Sequence, residues 1–196
     1  MKLIAHRGIH DEKIKENTYK SIYKALTDDR YIGVEFDVRI TKDNEFVIYH
    51  DAMYDGRLIK NINYVELPKY IPKLSNILKI KSDKIFLIEI KNIEGNINKF
   101  IKLLSKYKDK NIYVTSFNGK LMEKICRMAP TFKTGVLNYI LNSTEMNCLD
   151  FICILDTLLD DKIINTLIKN GKEIFSYGII NNKKIGLYDD VNYIVD

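Results

Sequence analysis

Residues 33–41 read GVEFDVRIT, a run in which Val34, Phe36, Val38 and Ile40 alternate with Glu35, Asp37, Arg39 and Thr41. Successive side chains of an extended chain point to opposite faces, so Val34, Phe36 and Val38 share one face and Glu35, Asp37 and Arg39 the other. Three large apolar groups on one face call for a cover of helices. The acids then face an interior rather than solvent. Residues 84–91, KIFLIEIK, repeat the plan: Phe86, Ile88 and Ile90 point outward, while Ile85, Leu87, Glu89 and Lys91 point inward.

Working outward, further apolar runs of strand length recur at residues 2–8 (KLIAHRG), 45–51 (EFVIYHD), 111–117 (NIYVTSF), 132–137 (FKTGVL), 151–156 (FICILD), 173–179 (EIFSYGI) and 191–196 (VNYIVD). Helical spacing of apolar residues lies between several of them. The stretch 17–29 opens on Asn17-Thr18 as a cap, 96–108 repeats apolar residues at three and four, and 160–171 closes on Gly171. Strand–helix alternation argues an α/β fold with a parallel sheet, either open and doubly wound or closed as an eight-stranded barrel. EFVIYHD departs from the rhythm, because the turn signal TKDN (41–44) is too short for a crossover helix. The count is eight barrel strands plus one extra arm. Thr41, Asp43 and Asn44 read as turn chemistry, with Asn44 suited to a left-handed conformation.

The 196 residues are 46% hydrophobic and 29% charged with a net charge of +5, enough for one compact domain over 1–196. Lysines are interleaved with Asp, Glu and Asn, which argues against a nucleic-acid groove and for anionic small molecules as partners. The thirteen tyrosines are not grouped on one strand pair, so they read as rims and core rather than a base-stacking platform. Three cysteines without CxxC spacing suit reduced thiols. Neither a signal sequence nor a membrane span is expected, and the expected compartment is cytoplasmic.

Glu35, Asp37, Glu89 and Lys91 converge inside. Unpaired charges in a low-dielectric interior cost several kcal/mol each, so a cation must compensate them. Carboxylate oxygens suit a hard divalent ion, Mg2+ or Ca2+. A structural Glu89–Lys91 ion pair is the plainer alternative. His6 and His50 each end a strand nearby. Two imidazoles beside a metal and the cations Arg7 and Lys91 meet the needs of phosphodiester hydrolysis: one takes a proton from the nucleophile, the other protonates the leaving alkoxide, and the cations hold the phosphate. His10 reads as a solvated loop residue.

The series HRG (6–8), ENT (16–18), EFDV (35–38), TKD (41–43), HD (50–51) and EIK (89–91) resembles the motifs of the glycerophosphodiester phosphodiesterases, with weaker similarity through IPKLSNIL (71–78), TSF (115–117) and NYIVD (192–196). The resemblance implies a TIM (β/α)8 barrel that splits glycerol phosphodiesters into glycerol 3-phosphate and an alcohol. It implies His6 and His50 as the acid/base pair, Glu35, Asp37 and Glu89 on a divalent metal, Arg7 and Lys91 on phosphate, and Glu16 near the site. Phe117 and Tyr177 are expected at the substrate pocket, Tyr177 standing where the family usually carries a tryptophan.

The chain departs from the family in the short segment 51–70 after His50, where relatives insert a larger subdomain, and in lacking sequence for an eighth outer helix. An exposed flank on the last strand, open to a second copy in a homo-oligomer, is the corresponding expectation. The short insertion also fits a phosphodiester of another polyol, such as a surface-polysaccharide or teichoic-acid building block. A catalytically silent barrel used as a binding module is the reading from another class.

Overall fold

A computed structural model describes residues 1–93, 95–138, 148–179 and 185–196. Strand β1 (Lys2–Ala5) is followed by helix α1 (Tyr19–Thr27), β2 (Tyr31–Ile40), β3 (Phe46–Ile48), the small hairpin β4 (Met53–Tyr54) and β5 (Arg57–Leu58), and the single turn α2 (Leu74–Ile77). Then come β6 (Ile85–Asn92), α3 (Ile97–Leu104), β7 (Ile112–Thr115), α4 (Gly119–Met128), β8 (Lys133–Asn138), β9 (Phe151–Leu155), α5 (Asp161–Lys169), β10 (Glu173–Tyr177) and β11 (Val191–Val195). Thr18 caps α1 reciprocally with Ser21, and Asp160 caps α5 through the Ile163 amide. Helix α4 goes beyond the three helical stretches read above, although its buried stripe Leu121, Met122 and Ile125 has the same spacing.

The sheet runs β1-β11-β10-β9-β8-β7-β6-β2, every pair parallel, and β1 also pairs with β2, which closes a barrel of eight strands. Strand β3 is the extra arm, antiparallel to Val38–Ile40 of β2. Residues Tyr31–Val34 of β2 pair with β1, so β1 and β3 share one edge of this ten-residue strand while β6 takes the other. Asn44 turns the chain between β2 and β3 at φ 61°, the left-handed conformation anticipated for it.

Two cores follow from the alternation. Val34, Phe36, Val38, Phe86, Ile88, Ile90 and Val114 pack outward against the helices. Ile4, Ile85, Leu87, Tyr113, Leu137, Phe151, Cys153, Phe175 and Ile194 fill the barrel. Near the N-terminal ends of the strands, the rings of Tyr113, Phe151 and Phe175 meet at 5.1–5.6 Å between centroids. A Cβ on Gly135 would lie 2.3 Å from the Phe151 ring, so only glycine lets that ring reach the axis. A third, small core of Val47, Ile59, Ile62, Leu67 and Ile71 gives the short segment after His50 a fixed shape, with Tyr49 and Tyr54 packed on it.

The expected exposed flank on the last strand is found in part: Val195 borders, with Leu3, Tyr31 and Ile185, a surface hollow of about 1330 Å3. Earlier on the strand, Val191 and Tyr193 are each 1% exposed, and the Tyr188 amide donates to the Tyr193 hydroxyl. No helix among the described residues is long and apolar enough to cross a membrane.

Candidate active site

The carboxylates, histidines and cations singled out in the sequence gather at the C-terminal ends of the strands, the end at which barrels of this kind carry their chemistry. Glu35 and Asp37 sit on β2, Glu89 and Lys91 on β6. His6 follows β1, and its amide donates to Val195 O on β11 at 2.8 Å. His50 lies just beyond β3, where Arg39 donates to its carbonyl through Nε at 2.8 Å and Nη2 at 2.5 Å. His6, Arg7, Glu35, His50, Glu89, Lys91, Phe117 and Tyr177 line one hollow of about 620 Å3.

The HRG turn needs its glycine. Gly8 has φ +82°, and a Cβ there would stand 2.5 Å from the Ser21 backbone at the start of α1. Arg7, itself at φ 54°, turns its amide to Glu35 Oε2 at 3.1 Å and its guanidinium toward Asp37 Oδ2 at 3.3 Å and Glu16 Oε1 at 2.7 Å. Glu16 therefore steadies Arg7. His10 folds back with Nδ1 3.0 Å from Gly8 O and is not among the residues that line the hollow.

Glu35, Asp37 and Glu89 are buried at 4%, 1% and 8% exposure. One oxygen from each lies within 4.8 Å of the others. Lys91 Nζ stands 3.1 Å from Asp37 Oδ1 and 2.5 Å from Glu89 Oε1. Burial first, then the charges of Asp37 and Glu89, hold the Glu35 carboxyl well above the usual carboxylate range. Burial and Asp37 raise Glu89 as well. For Lys91 burial opposes the charge, but Asp37 and Glu89 outweigh it and keep the ammonium above its ordinary value. Three acids against two cations leave the cluster short of positive charge, and an all-oxygen donor set of this size fits a hard divalent ion.

Both imidazoles have a carboxylate on one nitrogen. His6 Nδ1 lies 2.6 Å from Asp196 Oδ1, with Nε2 3.9 Å from Glu35 Oε2; His50 Nδ1 lies 2.9 Å from Asp51 Oδ1. A hydrogen bond on Nδ1 orients each ring and leaves Nε2 for the hollow. Phe117 and Tyr177 meet edge to face at 6.2 Å across the mouth.

The reading of the sequence missed three supporting groups. Asn17, taken as part of a helix cap, has φ 54° and faces inward: Nδ2 donates to Asp37 Oδ2 at 2.8 Å, and Oδ1 accepts from the Asp37 amide at 3.2 Å. Asp196 and Asp51 are the others. The adjacency of His50 and Asp51 was a visible signal, whereas nothing local joins residue 6 to residue 196. Arg39 shares the inner face of β2 by period, but a register shift after Val38 carries it to the His50 carbonyl.

Known proteins resemble this chain in sequence and in fold. A Caldanaerobacter subterraneus subsp. tengcongensis glycerophosphodiester phosphodiesterase is 28% identical, the match covering 69% of this chain and 65% of that protein. Bacillus subtilis YhdW is 28% identical across 93% of this chain and 88% of its own. Among solved structures, a glycerophosphodiester phosphodiesterase from Parabacteroides distasonis superposes with a TM-score of 0.82 at 24% identity, over 99% of this chain and 91% of that one. An Oleispira antarctica phosphodiesterase, solved with the product sn-glycerol-3-phosphate, gives 0.84 at 19%, over 99% and 92%. These likenesses establish the barrel. The model of the glycerophosphoryl diester phosphodiesterase family matches residues 6–192, and the chain belongs to that family.

Proposed function

We propose that the chain hydrolyses a glycerophosphodiester to glycerol 3-phosphate and an alcohol, using His6 and His50 as general acid and base. The observation that carries this reading is the convergence of both histidines, Arg7, Lys91, Glu35 and Glu89 on one hollow, with a carboxylate oxygen of Asp37 within 4.8 Å of those of the two glutamates. Glu35, Asp37 and Glu89 would hold a divalent cation, Mg2+ or Ca2+, which supplies charge stabilisation to the phosphate oxygens when bound. Lys91 and Arg7 add fixed positive charge to the same side, and Glu16 keeps Arg7 from swinging out. Asp196 and Asp51 hold the two rings so that each Nε2 exchanges a proton with the reacting oxygens, one removing it from the nucleophile and the other delivering it to the departing alkoxide. Phe117 and Tyr177 offer apolar walls to the glycerol carbons. Free Cys126, Cys148 and Cys153 fit a reducing, cytoplasmic setting.

The test is incubation with glycerophosphoethanolamine and glycerophosphoglycerol, with Mg2+, with Ca2+ and after exhaustive chelation, followed by phosphorus NMR. Glycerol 3-phosphate should appear only with metal. A transient cyclic phosphate would mark attack by the adjacent glycerol hydroxyl, and its absence direct attack by water. Full turnover in protein free of metal would sink the metal role, and no turnover under any condition would sink the reading as a whole.

A further inference from the structure

His50 also borders a second hollow of about 690 Å3, which Lys15, Glu16, Tyr49, Asp51 and Tyr70 help to line. There Glu16 is engaged by Arg7 and Asp51 by His50. Lys15 and Tyr70 also line a third hollow of about 800 Å3, between the start of α1 and the end of the segment that follows His50. Lys15 Nζ lies 4.2 Å from the centre of the Tyr70 ring, at the boundary of the two.

The third hollow differs in charge from the catalytic one. Lys13, Lys15, Lys20 and Lys69 line it together with Tyr19 and Tyr70, and no carboxylate among the described residues does. Asp11, which feels Lys20, directs its carboxylate to the amides of Lys13 and Ile14 instead. His50, then Lys15 and Tyr70, thus link the acid/base pair by shared walls to four lysines set around an apolar floor.

We propose that this lysine-lined hollow receives the alcohol half of the substrate and favours an alcohol that itself carries a phosphate or carboxylate. The inference rests on the hydrolase reading and adds the class of leaving group to it. A second negative charge close to Glu35, Asp37 and Glu89 is repelled, whereas one carried beyond His50 meets four cations. Hydrolysis is unchanged in its balance: water adds across the phosphorus–oxygen bond, glycerol 3-phosphate keeps the phosphoryl group, and the anionic alcohol leaves with a proton. Its adjacency, through Lys15 and Tyr70, to the hollow that His50 borders favours a soluble alcohol of this kind over the plane of a membrane.

A matched pair of substrates tests it: glycerophosphoglycerol, and the same molecule with a terminal phosphate on the departing glycerol. Solvent-exposed ion pairs are individually weak, so several together should give ~10-fold higher kcat/KM for the second compound at low salt, fading as salt is raised. The triple variant Lys13→Glu, Lys20→Glu, Lys69→Glu should bring the ratio to unity or below, and Lys15→Ala should lower it in part. Lys162→Glu on α5 makes the same kind of charge change far from the groove and should leave the ratio alone. A ratio near one in the unaltered protein, or one insensitive to the triple change, overturns the proposal. Sedimentation with phosphatidylglycerol vesicles separates the other source of anions: binding lost in the triple variant with no change in the substrate ratio would assign the lysines to a lipid surface and overturn it too. Should neither compound turn over, the hydrolase reading fails. Calorimetric affinities of the same pair would still read the hollow, tighter binding of the doubly charged compound supporting it and equal binding refuting it.

Discussion

The two ends of the barrel are made from the same strands and have opposite electrostatic character. At the N-terminal end Tyr113, Phe151 and Phe175 interlock, and Lys133, the Tyr113 hydroxyl and Glu173 close a three-membered network in which each polar group has a partner. At the C-terminal end three buried carboxylates crowd two cations, and two of the acids are pushed above their ordinary pKa. The floor is satisfied as it stands. The mouth is an arrangement that only a further cation and an anionic substrate would complete. Preorganised charge of this kind is unfavourable for folding, and the apolar floor and helix contacts offset it.

The largest effect that would test this division is on chemistry alone. His6→Ala and His50→Ala should each lower kcat by ~10²–10⁴ while the melting temperature stays near that of the unaltered protein. Near-normal rates in both would remove the acid/base assignment. The reciprocal change is Phe151→Ala on the floor, which should cost about 3–5 kcal/mol in urea unfolding yet leave kcat per folded molecule unchanged. A large drop in kcat at temperatures where the variant is folded would show that the two ends are coupled after all.

Smaller changes sharpen the mouth. Asn17→Ala removes the side chain that holds Asp37 at both its amide and its carboxylate, and metal affinity should weaken ~10–100-fold by calorimetry with the fold retained. Unaltered affinity would make Asn17 a turn residue only.

The smallest effect is on pH-dependent stability. Glu35 and Glu89 have raised pKa values, so the folded chain binds their protons more tightly than the unfolded chain does. Their contribution is most favourable when both are protonated, and it is lost as pH rises from the ordinary carboxylate range through the raised values. Asp28, held at about 2 by its hydrogen bonds with Arg30, works in the opposite sense but only below that range. Metal-free protein should therefore melt roughly 2–4 °C higher at about pH 5 than at about pH 7, and added Mg2+ or Ca2+ should flatten the slope. A slope of the reverse sign without metal would contradict the picture of crowded, uncompensated acids.

What the chain determined by itself is whatever depends on neighbours in sequence. The two-residue period of GVEFDVRIT and KIFLIEIK decides which side chains face the helices and which the axis, so Glu35, Asp37, Glu89 and Lys91 could be placed inside before any coordinates. The strand count, the antiparallel arm and the positions of His6 and His50 at strand ends follow from the same local spacing. Tertiary structure alone decided the partners. Asp196 reaches His6 across the seam where β1 meets β11, 190 positions away, because ring closure sets the two strands side by side. Asn17 leaves capping to Thr18 and bonds Asp37, 20 positions on, because its own left-handed backbone, φ 54°, turns its amide to that residue. The lysine hollow depends on α1 meeting a segment some fifty residues later. Periodicity encodes a direction for each side chain but no distance between chain segments, and only closure of the barrel supplies that distance.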